Sequence, residues 1–199
     1  MILVQRQVKI TGVVLAGGQG SRMGGKDKGL VLLNDIALFR YVLETLRPQV
    51  NQLVISANRH IDIYQQAGVP VIADSLPDYP GPLAGMLAVM EAVESEWFLF
   101  SPCDTPNIPS NLASSLWDGL GNPTILAVWA NDGERDHPGI ALVHHSVKVA
   151  LRAYLSAGER RVMQFLRSIG GRAVVFDKSR TDFANINTLD DLSDWQESE

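Results

Sequence analysis

The stretch from Thr11 to Lys28, TGVVLAGGQGSRMGGKDK, constrains the fold more than any other. Val13-Val14-Leu15 is a short apolar run of the kind that forms a buried strand in a parallel sheet. It breaks at once into Ala16, Gly17, Gly18 and Gly20, small residues that let the backbone approach a ligand closely. A loop of this type after a buried strand can turn several N–H groups toward one anion. Arg22, Lys26 and Lys28 follow in the same segment, so a polyphosphate cradle is the leading reading. Two common phosphate motifs do not fit. The dinucleotide fingerprint fails because Met23 stands where its last glycine belongs, and the P-loop pattern fails because Asp27 replaces the metal-binding Ser or Thr. The bland alternative is a flexible glycine-rich turn flanked by surface cations.

Downstream, strand and helix patterns alternate. Val8 to Leu15 reads as a strand, Leu30 to Leu33 as a short extended piece, and Leu38 to Leu46 as a helix stopped by Pro48. Gln52 to Ala57 and Val69 to Ala73 read as strands around a helix at Ile61 to Gln66 closed by Gly68. The proline-rich DSLPDYPGPLAG, Asp74 to Gly85, runs into a helix with an apolar stripe at Leu83, Leu87, Met90 and Val93. Trp97 to Phe100 is a further buried strand, ended by Pro102-Cys103-Asp104-Thr105-Pro106. The second half gives strands at Thr124 to Trp129 and Gly139 to Val143 around a charged turn, Asn131 to Pro138. Helices follow at Ser146 to Leu155 and Arg160 to Ser168, then strands at Arg172 to Phe176 and Phe183 to Ile186. Thr188 caps a terminal helix. This rhythm predicts an α/β, doubly wound, Rossmann-like three-layer fold with a mostly parallel sheet. Ligands of such sheets lie beyond the carboxyl ends of the strands, which puts the cradle, Asp74 and Asp104 on one edge.

At 199 residues the chain reads as a single domain, and 46% hydrophobic with 20% charged residues is a globular balance. The net charge of −5 gives no general field for nucleic acid. One cysteine excludes an intrachain disulfide and a multi-cysteine zinc site. With neither a signal-peptide pattern nor an uncharged run near the ~20 residues that span a bilayer, a cytoplasmic protein is expected.

Several residues are candidates for chemistry. Asp104, braced between two prolines, suits Mg²⁺, which takes one or two carboxylates plus phosphate oxygens. It also suits a turn former, and the neighbouring cradle favours the metal. Cys103 has no evident base beside it and reads as packing. His144-His145 would face opposite ways on a strand. His137, beside Arg135 and Asp136, either touches a substrate or caps a turn. Arg160-Arg161 is either solvated surface or an anion clamp. Asn185 and Asn187 can cap a turn, bind a metal or read a polar heterocycle.

LAGGQGSRMGGKDK, DSLPDYPGPLAG, PCDTP and NINT, in that order, resemble the molybdenum cofactor guanylyltransferase family over nearly the whole chain. The first motif is shared by many nucleotidyltransferases, whereas DYPGPLAGM with PCDTP, RDHP and GERRVM narrows the resemblance to the guanylyl branch. The resemblance implies transfer of GMP from GTP to the terminal phosphate of molybdopterin carrying molybdenum, with release of pyrophosphate. It implies Mg²⁺, with Mn²⁺ as a substitute, and downstream partners among cofactor-insertion proteins and molybdoenzyme apoproteins. By matching position, it assigns Leu15, Ala16, Gly17, Gly18, Lys28, Ser56, Asp74 and Asp104 to GTP. Arg22, Lys28 and Asp104 would be catalytic, with Asp104 also the metal ligand. Arg160, Arg161, Asn185 and Asn187 would form the pterin side. Ser56 departs from the asparagine of close relatives. The part up to about residue 106 would bind nucleotide and the remainder would complete the pterin side. The rivals are a cytidylyl or sugar-phosphate nucleotidyltransferase on the same fold, and a non-catalytic cofactor carrier.

Overall fold

The computed structural model describes residues 8–17, 27–74, 81–176 and 183–186. Gly18, Arg22, Lys26, Asn187 and the expected terminal helix lie outside the described residues.

Four strands form one parallel block of a seven-stranded sheet: β1 (Ile10–Leu15), β4 (Gln52–Ser56), β5 (Val71–Ile72) and β6 (Trp97–Pro102). Between them in sequence, β2 (Leu32–Leu33) and β3 (Ile36–Ala37) make a separate two-stranded hairpin. Its turn residues Asn34 and Asp35 both have positive φ, the backbone a tight hairpin needs. The other half of the large sheet holds β7 (Ala127–Asn131), β8 (Asp136–His144) and β9 (Arg172–Val175). The spatial order is β5-β4-β1-β6-β8-β7-β9, and β8 alone runs antiparallel to its neighbours. One continuous sheet therefore spans both halves of the chain.

Alternation along the buried strands gives two apolar faces. Val14, Ile55 and Leu99 pack on α1 (Leu38–Leu46), α2 (Ile61–Gln65) and α4 (Leu112–Leu120). Val13, Leu15, Val54, Phe98 and Phe100 pack against α3 (Pro82–Ala92), α5 (Lys148–Ser156) and α6 (Val162–Ser168). These are the three expected layers.

Four local expectations change. Lys28–Leu30 is a 3₁₀ turn, Val31 is extended, and the strand itself is Leu32–Leu33. The helix α3 is buried at every position from Leu83 to Met90, not along one stripe, because the sheet covers one side and α5 packs against it. The charged turn is shorter than Asn131 to Pro138, since β8 already begins at Asp136. Phe183 to Ile186 is not a strand; its backbone is tied to the Asp104 loop by Ile186 N–H donating to Asp104 O at 2.8 Å. The sequence reading also passed over α4, whose Leu112, Leu116 and Leu120 recur at helical spacing but sit among Ser114, Ser115 and Gly119.

Candidate active site at the carboxyl edge of the sheet

After β1 the chain order turns to β4 and β5 on one side, then returns to place β6 on the other. The crevice above β1 and β6 is thus the topological switch point, where open α/β sheets bind ligands. Pairing continues past the strand ends: Ala16 N–H donates to Ser56 O at 2.8 Å and Cys103 N–H to Leu15 O at 3.0 Å. These bonds hold Leu15, Ala16, Gly17, Ser56 and Asp104 on one rim.

The centre of the rim is an ion pair. Lys28 Nζ lies 3.1 Å from Asp104 Oδ2, joining the end of the glycine segment to the end of β6. Asp104 Oδ1 is buried and makes no hydrogen bond among the described residues. A buried carboxylate oxygen without a partner is costly unless a ligand completes it. That orphaned oxygen fits a hard divalent cation, for which carboxylate and phosphate oxygens are the natural donors. Among the described residues there is no cluster of three His, Cys, Asp or Glu side chains, so a metal here would depend on substrate oxygens.

The residues on either side of Lys28 are held tightly. Asp27, where a P-loop would carry a hydroxyl, is buried and faces inward. Its Oδ1 accepts from Tyr64 Oη at 2.7 Å and Gly29 N–H at 3.2 Å, and its Oδ2 lies 3.1 Å from His60 Nδ1. Gly29 fits only as glycine, because a Cβ there would overlap Tyr64 Oη. Burial, the Cys103 thiol and the Asp27 carboxylate all push the Tyr64 phenol up, so it stays a donor. Burial likewise raises Cys103 well above the thiol range, with Asp104 adding to it, which agrees with packing and not nucleophilic chemistry.

On the β5 side, Asp74 is clamped by Asn58: Asn58 Nδ2 donates to Asp74 Oδ2 at 2.7 Å, and Asp74 N–H to Asn58 Oδ1 at 2.9 Å. A Cβ on Gly17 would come 3.2 Å from that Asn58 amide, so glycine admits the close approach. Ser56 is buried, its hydroxyl packed toward Gly85 of α3.

On the β8 side, Thr105 Oγ1 donates to Asn185 Oδ1 at 2.6 Å. His137 Nε2 lies 2.7 Å from Asp132 Oδ2. Burial pulls the Asp132 carboxyl upward, but bonds from His137 and from the Arg135 and Glu134 amides outweigh it and hold the group at about 2. Asp136 accepts from Trp129 Nε1 and Asn131 Nδ2, both at 2.9 Å, and from Arg167 at 3.3 Å; these bonds, the Asn131 and Trp129 ones foremost, lower its pKa.

Arg160 and Arg161 do not join this cluster through any of these bonds. Arg160 donates to the carbonyls of Leu155 and Glu159, closing the end of α5, and Arg161 O accepts from Tyr154 Oη. His144 and His145 differ from expectation: their rings lie 4.4 Å apart, because β8 ends at His144 and a 3₁₀ turn begins at His145. They sit beside Trp97, at the start of β6 and far from the rim. Sequence reasoning missed Asn58, Thr105, Tyr64 and Asp132, whose partners lie 5 to 80 positions away.

Residues 12–173 match the MobA-like NTP transferase domain. The chain is 47% identical over 189 residues to the molybdenum cofactor guanylyltransferase of Serratia proteamaculans (strain 568), covering 95% of each chain. The chain belongs to the molybdenum cofactor guanylyltransferase family. Among solved structures it is similar to molybdopterin-guanine dinucleotide biosynthesis protein A of Archaeoglobus fulgidus, with a TM-score of 0.78, 23% identity, and coverage of 94% of this chain and 97% of that one. A manganese complex of a Mycobacterium tuberculosis H37Rv protein superposes with a TM-score of 0.71 at 18% identity, covering 96% and 100%. The first likeness carries the family, and the two structural likenesses carry the fold. Among the described residues, no helix is long and apolar enough to cross a membrane.

Proposed function

We infer that this protein is a GTP-dependent guanylyltransferase that joins GMP to the terminal phosphate of molybdenum-bound molybdopterin and releases pyrophosphate. The observation that carries the mechanism is the Lys28–Asp104 pair with its orphaned Asp104 Oδ1, set where β1 and β6 diverge.

The attacking group is a phosphate monoester. With a second pKa of about 6, as in phosphorylated side chains, it is mostly dianionic at neutral pH. It needs no general base and no protein nucleophile, which suits a rim whose single cysteine is buried and protonated. What the protein must supply is alignment and charge neutralisation. The amides after Leu15, with Ala16, Gly17 and Gly18, cradle the triphosphate. Lys28 and Arg22 hold its oxygens, and the residue before Lys28, Asp27, is anchored by its bond from Tyr64. Asp104 would hold Mg²⁺, or Mn²⁺ in its place, and the ion would stabilise charge at the α-phosphate. Asp74, oriented by Asn58, accepts from guanine N1–H and N2–H₂, a donor pair adenine does not present. Ser56 lies beneath this nucleotide side. Arg160, Arg161, Asn185 and Asn187 serve the pterin side. The first part of the chain, to about residue 106, binds nucleotide, and the remainder completes the pterin side of the same single domain. Cofactor-insertion proteins and molybdoenzyme apoproteins then receive the product in the cytoplasm.

The test is pyrophosphate release with Mg²⁺ and each of the four nucleoside triphosphates, with and without molybdenum-loaded molybdopterin. Release with GTP only, dependent on the pterin and lost in Asp104→Ala, is the expected result. A preference for CTP would move the protein to a sister activity, and GTP binding without turnover would make it a carrier.

A further inference from the structure

Two clamps at opposite ends of the nucleotide site spring from one short segment. Asn58, two residues past the end of β4, bonds twice to Asp74, donating to its Oδ2 and accepting from its N–H. His60 Nδ1 and Tyr64 Oη both reach the Asp27 carboxylate, at 3.1 Å and 2.7 Å. We propose that Asn58 to Tyr64 is a positioning bracket. It fixes the distance between the base-side carboxylate, Asp74, and the phosphate-side cation, Lys28, and His60 couples its two ends. The proposal rests on the nucleotide assignment made above and adds His60 to it as a positioning residue.

Local geometry lets so few residues serve both ends. His60 and Tyr64 are four positions apart, about one helical turn, so their side chains share a face. Tyr64 N–H donates back to His60 O at 3.2 Å and closes that turn. Asn58 stands only two residues before His60, a reach of about 7 Å at most. Movement at one clamp is therefore felt at the other. His60 itself has left-handed backbone, φ 49° and ψ 36°. That conformation strains any residue with a Cβ, whereas glycine adopts it freely. What the histidine supplies is its contact with Asp27. A carboxylate offers only acceptors, so Nδ1 holds the proton and donates.

From Asp27 the constraint reaches Lys28 through the backbone. Asp27 Oδ1 caps the 3₁₀ turn by accepting from Gly29 N–H. Leu30 N–H donates to Asp27 O at 3.1 Å, and Val31 N–H to Lys28 O at 3.2 Å. The Lys28 backbone is thus closed on both sides, and its Nζ meets Asp104 at 3.1 Å. Asp27 and Tyr64 are buried, while the His60 side chain is 47% exposed, so it is the member at the surface. Across the sheet, β5 and β6 are three strand spacings apart, on the order of 14 Å. A nucleoside triphosphate that spans this gap is held at both ends at once. Binding at one end raises the effective concentration at the other only while the spacing is kept. The bracket therefore acts on the whole nucleotide and not on either fragment alone.

The experiment is equilibrium binding of the fluorescent analogue mant-GTP to the full chain with Mg²⁺, with GTP, guanosine and tripolyphosphate as competitors. His60→Gly removes the Nδ1 donor and keeps the left-handed backbone. It should weaken GTP about tenfold and shift guanosine and tripolyphosphate less than about twofold each. His60→Asn also tolerates left-handed backbone and carries an amide donor the same number of bonds from Cα. It should bring GTP back to within about threefold of the wild type. A purely structural role gives another pattern: all three competitors weaken together in His60→Gly, and that result overturns the proposal. So does an unchanged GTP affinity in His60→Gly, or a His60→Asn that binds GTP no better than His60→Gly. A wild type that binds GTP no more tightly than tripolyphosphate has no base end to be spaced, which overturns it as well. Binding needs neither acceptor nor turnover. The expected pattern in a protein that releases no pyrophosphate would therefore sink guanylyl transfer and support the bracket.

Discussion

Substituting Gly29 by alanine tests whether Lys28 is aimed by packing behind it. The backbone at Gly29 is not in the left-handed region, so alanine is acceptable there and only space is at issue. The added Cβ overlaps Tyr64 Oη and comes within 3.3 Å of Tyr64 Cζ and 3.4 Å of Cys103 Sγ. Tyr64 has no exposed surface and its ring packs edge-on against Phe39 at 4.8 Å, so the phenol has nowhere to go. Overpacking of this kind costs about 1 to 3 kcal/mol. Displacing the phenol also breaks its bond to the Asp27 carboxylate, and a hydrogen bond to a charged group is worth about 1.5 to 3 kcal/mol. Gly29→Ala should therefore destabilise by about 2.5 to 6 kcal/mol. Tyr64→Phe removes the same bond without the overlap and should cost about 1.5 to 3 kcal/mol. In the double variant the bond is lost only once and the clashing atom is gone. The double should thus be less destabilised than the sum of the singles, by about 2.5 to 6 kcal/mol. Urea unfolding of the four proteins, with m held constant, measures this coupling. Additivity within about 0.5 kcal/mol would refute the reasoning, since sites that do not touch add to that accuracy.

Other outcomes follow from the same geometry. Lys28→Met keeps the stem and removes the charge that neutralises Asp104; pyrophosphate release should fall about 10² to 10³-fold, the typical loss for one preorganised donor, and a fall under fivefold in a rapid-quench assay would remove Lys28 from the chemistry. Asp74→Asn should erode the preference for GTP over ATP in competition assays, and an unchanged preference would take Asp74 out of base recognition. Asp132 carries a depressed pKa of about 2, so its contribution to stability is present above its ordinary carboxylate range and lost as pH falls toward 2. Asp132→Asn should then unfold over a flatter acid limb than the wild type when melts are compared between pH 5 and pH 2, and parallel limbs would contradict the assignment.

The alternating apolar runs, the glycines after Leu15 and the proline-braced Asp104 were legible because each is local: periodicity, backbone permission and turn chemistry are written within a few neighbouring residues. They led to a doubly wound sheet and to the edge on which β1 and β6 end, and both are as read. Where local signals conflicted, the reading failed. Three small or polar residues hid α4, the charge of RDHP concealed the start of β8, and strand alternation misplaced the ring of His145, which stands just past the strand's end. Phe183 to Ile186 has the alternation of a strand, yet its backbone bonds to the Asp104 loop and it forms no ladder among the described residues. Only the tertiary structure decided which polar groups meet. Asp27 turns inward because Tyr64 and His60 lie 37 and 33 positions away along the chain but adjacent in space, and Asn185 reaches the Asp104 loop across 80 positions. A sequence states which side chains can donate or accept; the distance between them follows from how strands are ordered in the sheet, and no local pattern encodes that order.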